Sequence, residues 1–164
     1  MDWQVPLVVA AIAFLALVLW KVRPSFGGGG APVREALKKA RAKIDAAKDD
    51  AARAEALCEA GDACASLLGR SGAAAAYYLR AMRCDPRSAA IAPRAAKALW
   101  RRPRVLENLL WRRLAHEPWS PEVRDATIAA IHELEHLYRK RIKSPPRAKA
   151  LHHLAQAIGA TPKT

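Results

Sequence analysis

The sequence predicts an all-α protein: one N-terminal transmembrane helix followed by stacked antiparallel helical hairpins, about three pairs of them. Three observations predict it. The chain is rich in Ala, Leu, Arg, Lys and Glu and poor in β-branched residues, which favours helices over sheets. One apolar run, residues 5–20, carries no charge. From Pro32 onward, caps, glycines and prolines punctuate the chain at short intervals, and apolar residues recur at helical spacing.

Composition narrows the class further. Of 164 residues, 52% are hydrophobic and 26% charged, enough apolar material for a core, which excludes a wholly disordered chain. A single long apolar run excludes a multi-pass transporter. The three cysteines, Cys58, Cys64 and Cys84, cannot all pair within one chain. Free thiols in a reducing compartment follow, with all three serving as small core residues.

The element at residues 1–23 reads as an uncleaved membrane anchor. Trp3 and Trp20 bracket the apolar run, as aromatic residues do at membrane interfaces. Their separation corresponds to about 26 Å of helix, close to a hydrocarbon core of roughly 30 Å. A cleaved signal peptide would need a positive start and a small-residue cleavage site. This chain has Asp2 at its start and Trp20-Lys21-Val22-Arg23 after the run. Lys21 and Arg23 follow the span, so the positive-inside bias puts the N-terminus outside and the C-terminal body in the cytoplasm.

Residues 24–31, with Gly27–Gly30, form a flexible linker. Pro32 then opens a first, capping helix over residues 32–50, with Val33, Leu37, Ala40 and Ile44 on one face. Asp49 and Asp50 offer a cap for a second helix ending near Gly69. Ser71 caps a third, stopped by Asp85-Pro86. Ser88 starts a fourth, broken near Pro103. A fifth runs from about Arg104 to His116. Ser120-Pro121 starts a sixth, through about Ile142. Ser144-Pro145 starts a seventh, ending at Gly159.

The stretch from Ala74 to Pro86 resembles the second helix of a tetratricopeptide repeat. Ala74, Tyr78, Ala81 and Asp85-Pro86 stand at that family's small, aromatic, small and helix-ending positions, and Gly69 stands at its inter-helix turn. The preceding helix departs from the pattern, with Cys58, Gly61, Asp62 and Ala65 where the family prefers an aromatic, a leucine, a small residue and an aromatic. Two weaker units follow, near residues 89–120 and 131–162, so the repeat domain spans 51–162. An irregular helical bundle is the rival reading.

The resemblance implies a groove lined by the first helix of each pair. Its positions are Glu59, Ala63, Ser66 and Leu67, then Lys97, Trp100 and Arg101, then His132, Glu135, Arg139 and Lys143. The implied groove is basic, with Trp100 near its centre, and suits an acidic or carboxylate-ended peptide. The expected function is a non-catalytic scaffold that recruits a protein partner at a membrane through Lys97, Trp100, Arg101, His132, Glu135 and Arg139. No cofactor and no catalytic residue are expected.

Two other classes have support. The chain has 28 Lys+Arg against 15 Asp+Glu, a net charge of +13. Residues 80–113 alone hold ten bases against Asp85 and Glu107, interleaved with Trp100 and Trp111. That stretch could tether nucleic acid or anionic lipid. The segment His132-Glu133-Leu134-Glu135-His136 also matches H-E-x-x-H, in which two histidines one turn apart hold zinc beside a catalytic glutamate. A zinc hydrolase would need a third ligand. No acidic residue follows Glu135, so only His152 or His153, brought level with His136 by a hairpin at Ser144, could supply one. The metal candidates are therefore His132, His136 and His152.

Overall fold

The computed structural model describes Phe14 and residues 31–67, 69–116 and 119–160. The anchor expected at residues 5–20 lies outside them, Phe14 apart. Among the described residues, no helix is long and apolar enough to cross a membrane.

The described residues form seven α-helices and no strand. They are α1 (Ala31–Ala46), α2 (Asp50–Ala65), α3 (Ser71–Cys84), α4 (Ile91–Leu99), α5 (Pro103–His116), α6 (Arg124–Leu137) and α7 (Pro145–Ala160). A 3₁₀ turn, Pro121–Val123, leads into α6, and a π-helical segment, Tyr138–Ile142, leaves it. The local chemistry explains most boundaries. Asp49 caps α2, its side chain accepting from the Ala52 N–H at 2.6 Å. Gly69 turns the chain with φ +83°, where a Cβ would be strained. Pro103 is the first residue of α5, where its missing N–H costs nothing. α4 begins at Ile91, three residues after the expected Ser88, because residues 86–90 form turns before the buried Ile91 and Ala92.

α2 pairs with α3 and α6 with α7, whereas α5 packs on α3 and on α6 more than on α4. α4 touches both members of the pair before it and α6 of the pair after it, so α2, α4 and α6 form one row. α3 and α5 pack side by side in a second row, and α1 covers α2. The arrangement is compatible with a helical repeat fold. Small residues permit the close approach: Ala74, Ala81, Ala95 and Ala130 are fully buried between helices. Tyr78, Leu57, Leu99, Leu106, Leu110, Ile131, Leu134 and Leu137 fill the space they leave.

One polar network ties the first three core helices together. The fully buried Tyr78 of α3 donates its hydroxyl hydrogen bond to Asp62 of α2. Arg94 of α4 reaches the other oxygen of Asp62 at 2.8 Å and Glu55 at 2.6 Å. Burial and the bond to Asp62 hold the Tyr78 phenol protonated well above the usual tyrosine range. Gly61 lies under the Tyr78 ring, and a Cβ there would sit 3.0 Å from two ring atoms. The glycine and aspartate that depart from the repeat pattern thus serve this tyrosine. The cysteines belong to the same core. Cys58 and Cys64 are buried and Cys84 half-buried, all three free. Burial pushes the Cys58 thiol up to about 11, which leaves it an unreactive thiol at neutral pH.

Alanine normally stabilises a helix interior relative to glycine by about 0.5–1 kcal/mol. Gly61→Ala should do the reverse, lowering the urea midpoint. Tyr78→Phe should cost about 1–1.5 kcal/mol, because Asp62 keeps Arg94 but loses the hydroxyl.

Candidate partner-binding surface

The sequence-predicted site residues come together in two clusters. The first lies where α4 ends beside the end of α6. Trp100, at the C-cap of α4, stacks on His136 with ring centroids 4.9 Å apart and planes 21° from parallel. The Arg141 guanidinium lies 5.8 Å from the Trp100 ring centroid. Lys97 and Arg101 are exposed on the same end of α4. Half of Trp100 is thus packing, against His136 and the core, and half faces outward.

The second cluster sits between α6 and α7. Glu135 is buried, its side chain 10% exposed, and it accepts a hydrogen bond from Arg139 one turn on. Two histidines approach the same carboxylate: His132 Nδ1 at 3.5 Å and His152 Nδ1, from α7, at 3.4 Å. A buried carboxylate is costly unless it is paired, and three partners answer that requirement. Beside it, Arg139, Pro145, Ala148, Lys149 and His152 line a small cleft of about 220 Å³.

The π-helical segment joins the clusters. It holds Arg139, Lys140 and Arg141, all exposed. Arg139 and Arg141, two residues apart, lie on opposite sides of a helical turn, so one reaches Glu135 and the other Trp100. Lys143 closes the segment in a left-handed conformation, φ 56° and ψ 48°, and the Ser144 N–H returns to the Tyr138 carbonyl at 2.9 Å. This reversal starts α7 and brings His152 to Glu135.

Several expectations change at this level. The three-histidine arrangement does not form: His136 lies on Trp100, while His152 turns to Glu135. Among the described residues, no three His, Cys, Asp or Glu side chains are grouped so as to hold a metal ion. Glu59 is not an open groove position, because Lys43 of α1 binds it at 2.7 Å. Nor is the row of α2, α4 and α6 uniformly basic. Those helices carry seven acidic residues and four Lys or Arg, and the positive charge gathers at the ends of α4 and α6.

Sequence reasoning missed the partners of these residues more than the residues. Trp100 and His136 stand 36 positions apart, close to one repeat, which is the signal that could have paired them. A third cluster had no such signal. Tyr138 donates to Glu107 at 2.5 Å and accepts from the Trp111 indole N–H at 3.1 Å, and Arg147 lies over its ring. Burial first, then the bond to Glu107, raises the Tyr138 phenol above its ordinary range.

Two outcomes test this geometry. Glu135→Gln keeps the shape but removes the charge that three basic groups share, and should cost about 1–3 kcal/mol in urea denaturation. Lys143→Gly should instead stabilise by up to about 1 kcal/mol, since glycine relieves the left-handed strain. Compared with known proteins, the chain matches no family model, no curated protein and no solved structure.

Proposed function

We propose that this chain is a non-catalytic scaffold, held at a membrane by residues 5–20, whose tetratricopeptide-like hairpins recruit a protein partner. Support for the repeat reading comes from the residues that carry the resemblance. Ala74, Tyr78 and Ala81 are fully buried at the α2–α3 interface, and Gly69 takes the left-handed turn. The pairing of α2 with α3 and of α6 with α7, with α4 packed between α2 and α6, is the kind of packing such repeats need.

The observation that carries the binding reading is the layered arrangement at the ends of α4 and α6. Trp100 stacks on His136 with the Arg141 guanidinium 5.8 Å from its ring centroid, and Lys97, Arg101 and Lys140 are exposed at the same helix ends. A held aromatic ring loses little entropy on binding, and arginines bind carboxylates in fixed geometry. An acidic or carboxylate-ended peptide fits that chemistry. The anchor would concentrate this surface in two dimensions, and the surrounding positive charge would speed encounter with acidic partners.

The test is crosslinked purification of the full-length chain from native membranes, with and without nuclease, for the wild type and two variants. A protein recovered from wild type after nuclease, and reduced about thirtyfold or more by Trp100→Ala with Arg101→Ala, supports the reading. Lys97→Glu with Arg101→Glu checks the charge without touching the packed tryptophan. Unchanged recovery in both variants overturns the site, and recovery that collapses with nuclease makes nucleic acid the ligand.

A further inference from the structure

Helices α3, α5 and α7 differ in charge from the row of α2, α4 and α6. They carry seven Lys or Arg and one acidic residue, Glu107. Glu107 is already engaged by Tyr138 and lies 3.8 Å from Arg147. Of the seven bases, Arg113 is buried and donates to the Pro86 carbonyl. Arg80, Arg83, Arg104, Arg112 and Arg147 are exposed, while Lys149 lines the cleft beside Glu135. The exposed surface of these helices away from that cleft is therefore positive, and among their described residues the one carboxylate, Glu107, is occupied.

The apolar groups on this face are also unusual. Trp111 and Trp119, along and just beyond α5, are 42% and 53% exposed. Each has its indole N–H satisfied within the protein, Trp111 by the Tyr138 hydroxyl and Trp119 by the Leu114 carbonyl at 3.0 Å. An indole whose N–H is already paired can enter a medium of low polarity without leaving a donor unsatisfied. On either side of α5 the surface opens into an apolar-floored cleft. One, of about 380 Å³, lies against Ala75, Ala76 and Leu79 of α3, with Arg104 and Arg112 at its edge. The other, of about 520 Å³, lies against Leu151 and Leu154 of α7, with Arg147 at its edge.

We propose that the α3–α5–α7 face docks on an anionic lipid surface. Its arginines would meet headgroup phosphates and carboxylates, and Trp111 and Trp119 would lie at the interface, where tryptophan is favoured. Charge complementarity selects an anionic partner. The spread of bases over three helices favours a lipid surface over a nucleic-acid strand, which needs bases and rings along one track. This face is distinct from the Trp100 surface, so the partner-recruitment test and this one fail independently.

Ala115 is exposed on α5 between the two tryptophans, which makes it a reporter position. The experiment places the photocrosslinker benzoylphenylalanine there in the full-length chain, reconstituted in phosphatidylcholine vesicles with or without about 30% phosphatidylserine. Irradiation should give lipid adducts at position 115 several-fold more abundant with the anionic lipid. Arg104→Gln with Arg112→Gln should bring the yield in anionic vesicles down close to the phosphatidylcholine level, since each base near the surface is worth roughly fivefold in binding. About 0.5 M salt should suppress it, because screening then acts within a few ångströms. Arg104→Lys with Arg112→Lys should retain it, which separates lost charge from lost folding. Equal adducts in both vesicle types, or a yield unmoved by the glutamine variant, would overturn the proposal. So would an added single-stranded oligonucleotide that captures the crosslink in place of lipid.

Discussion

The carboxylate of Asp62 is the joint of this fold. It receives the Tyr78 hydroxyl from α3 and the Arg94 guanidinium from α4, and Glu55 holds the far side of that guanidinium. Three helices are thus fixed by one group on α2. Such an arrangement specifies more than it stabilises. The buried Tyr78 phenol is costly without a partner, so α2 and α3 favour the register that brings Asp62 to it. Gly61 completes the condition by letting the Tyr78 ring lie against the α2 backbone. The pairs further along the chain then stack on a fixed base, through alanines and leucines that are compatible with several registers by themselves.

The distal half uses the same device with different groups. Glu135 gathers Arg139, His132 and His152 between α6 and α7, and Tyr138 gathers Glu107 and Trp111 between α5 and the π-helical segment. Adjacent residues, Leu137 and Tyr138, begin a departure from α-helical winding, and that departure sends Arg139 and Arg141 to different neighbours. Lys143 then reverses the chain at a position where glycine would be at ease. The C-terminal helix is held at its far end too, where Arg124 caps the carbonyls of Ile158 and Gly159.

Charge follows this architecture. Acidic residues collect on α2 and α6, where most of them hold a neighbouring helix, and the outer row keeps almost none. Apart from α1, which carries five Lys or Arg against two acidic residues, the net positive charge of the described helices lies on α3, α5 and α7 and at the ends of α4 and α6. A sum over the sequence, or over residues 80–113, does not reveal that division, because bases from the buried and exposed sides of α3, α4 and α5 are counted together.

Much of the fold was legible in the sequence. Helical composition, Asp49, Pro103 and Pro121 fix which segments become helices, since capping and proline geometry act within a few residues; Ser71, expected as a cap, is instead the first residue of α3 and makes no cap bond. The small and aromatic positions from Ala74 to Ala81 were legible for the same reason: their spacing along one helix decides which side can be buried. The site was legible only as a set of names. Trp100, Glu135 and Arg139 carry the right chemistry in the chain, but whether His136 faces a metal or a tryptophan depends on how far α4 slides against α6. Whether His152 meets His136 or Glu135 depends on a π-turn and one left-handed lysine. Local propensity determined the helices of this protein. The tertiary structure alone decided its partners across helices, because a shift of one residue in packing turns a side chain by about 100° and changes every neighbour it meets.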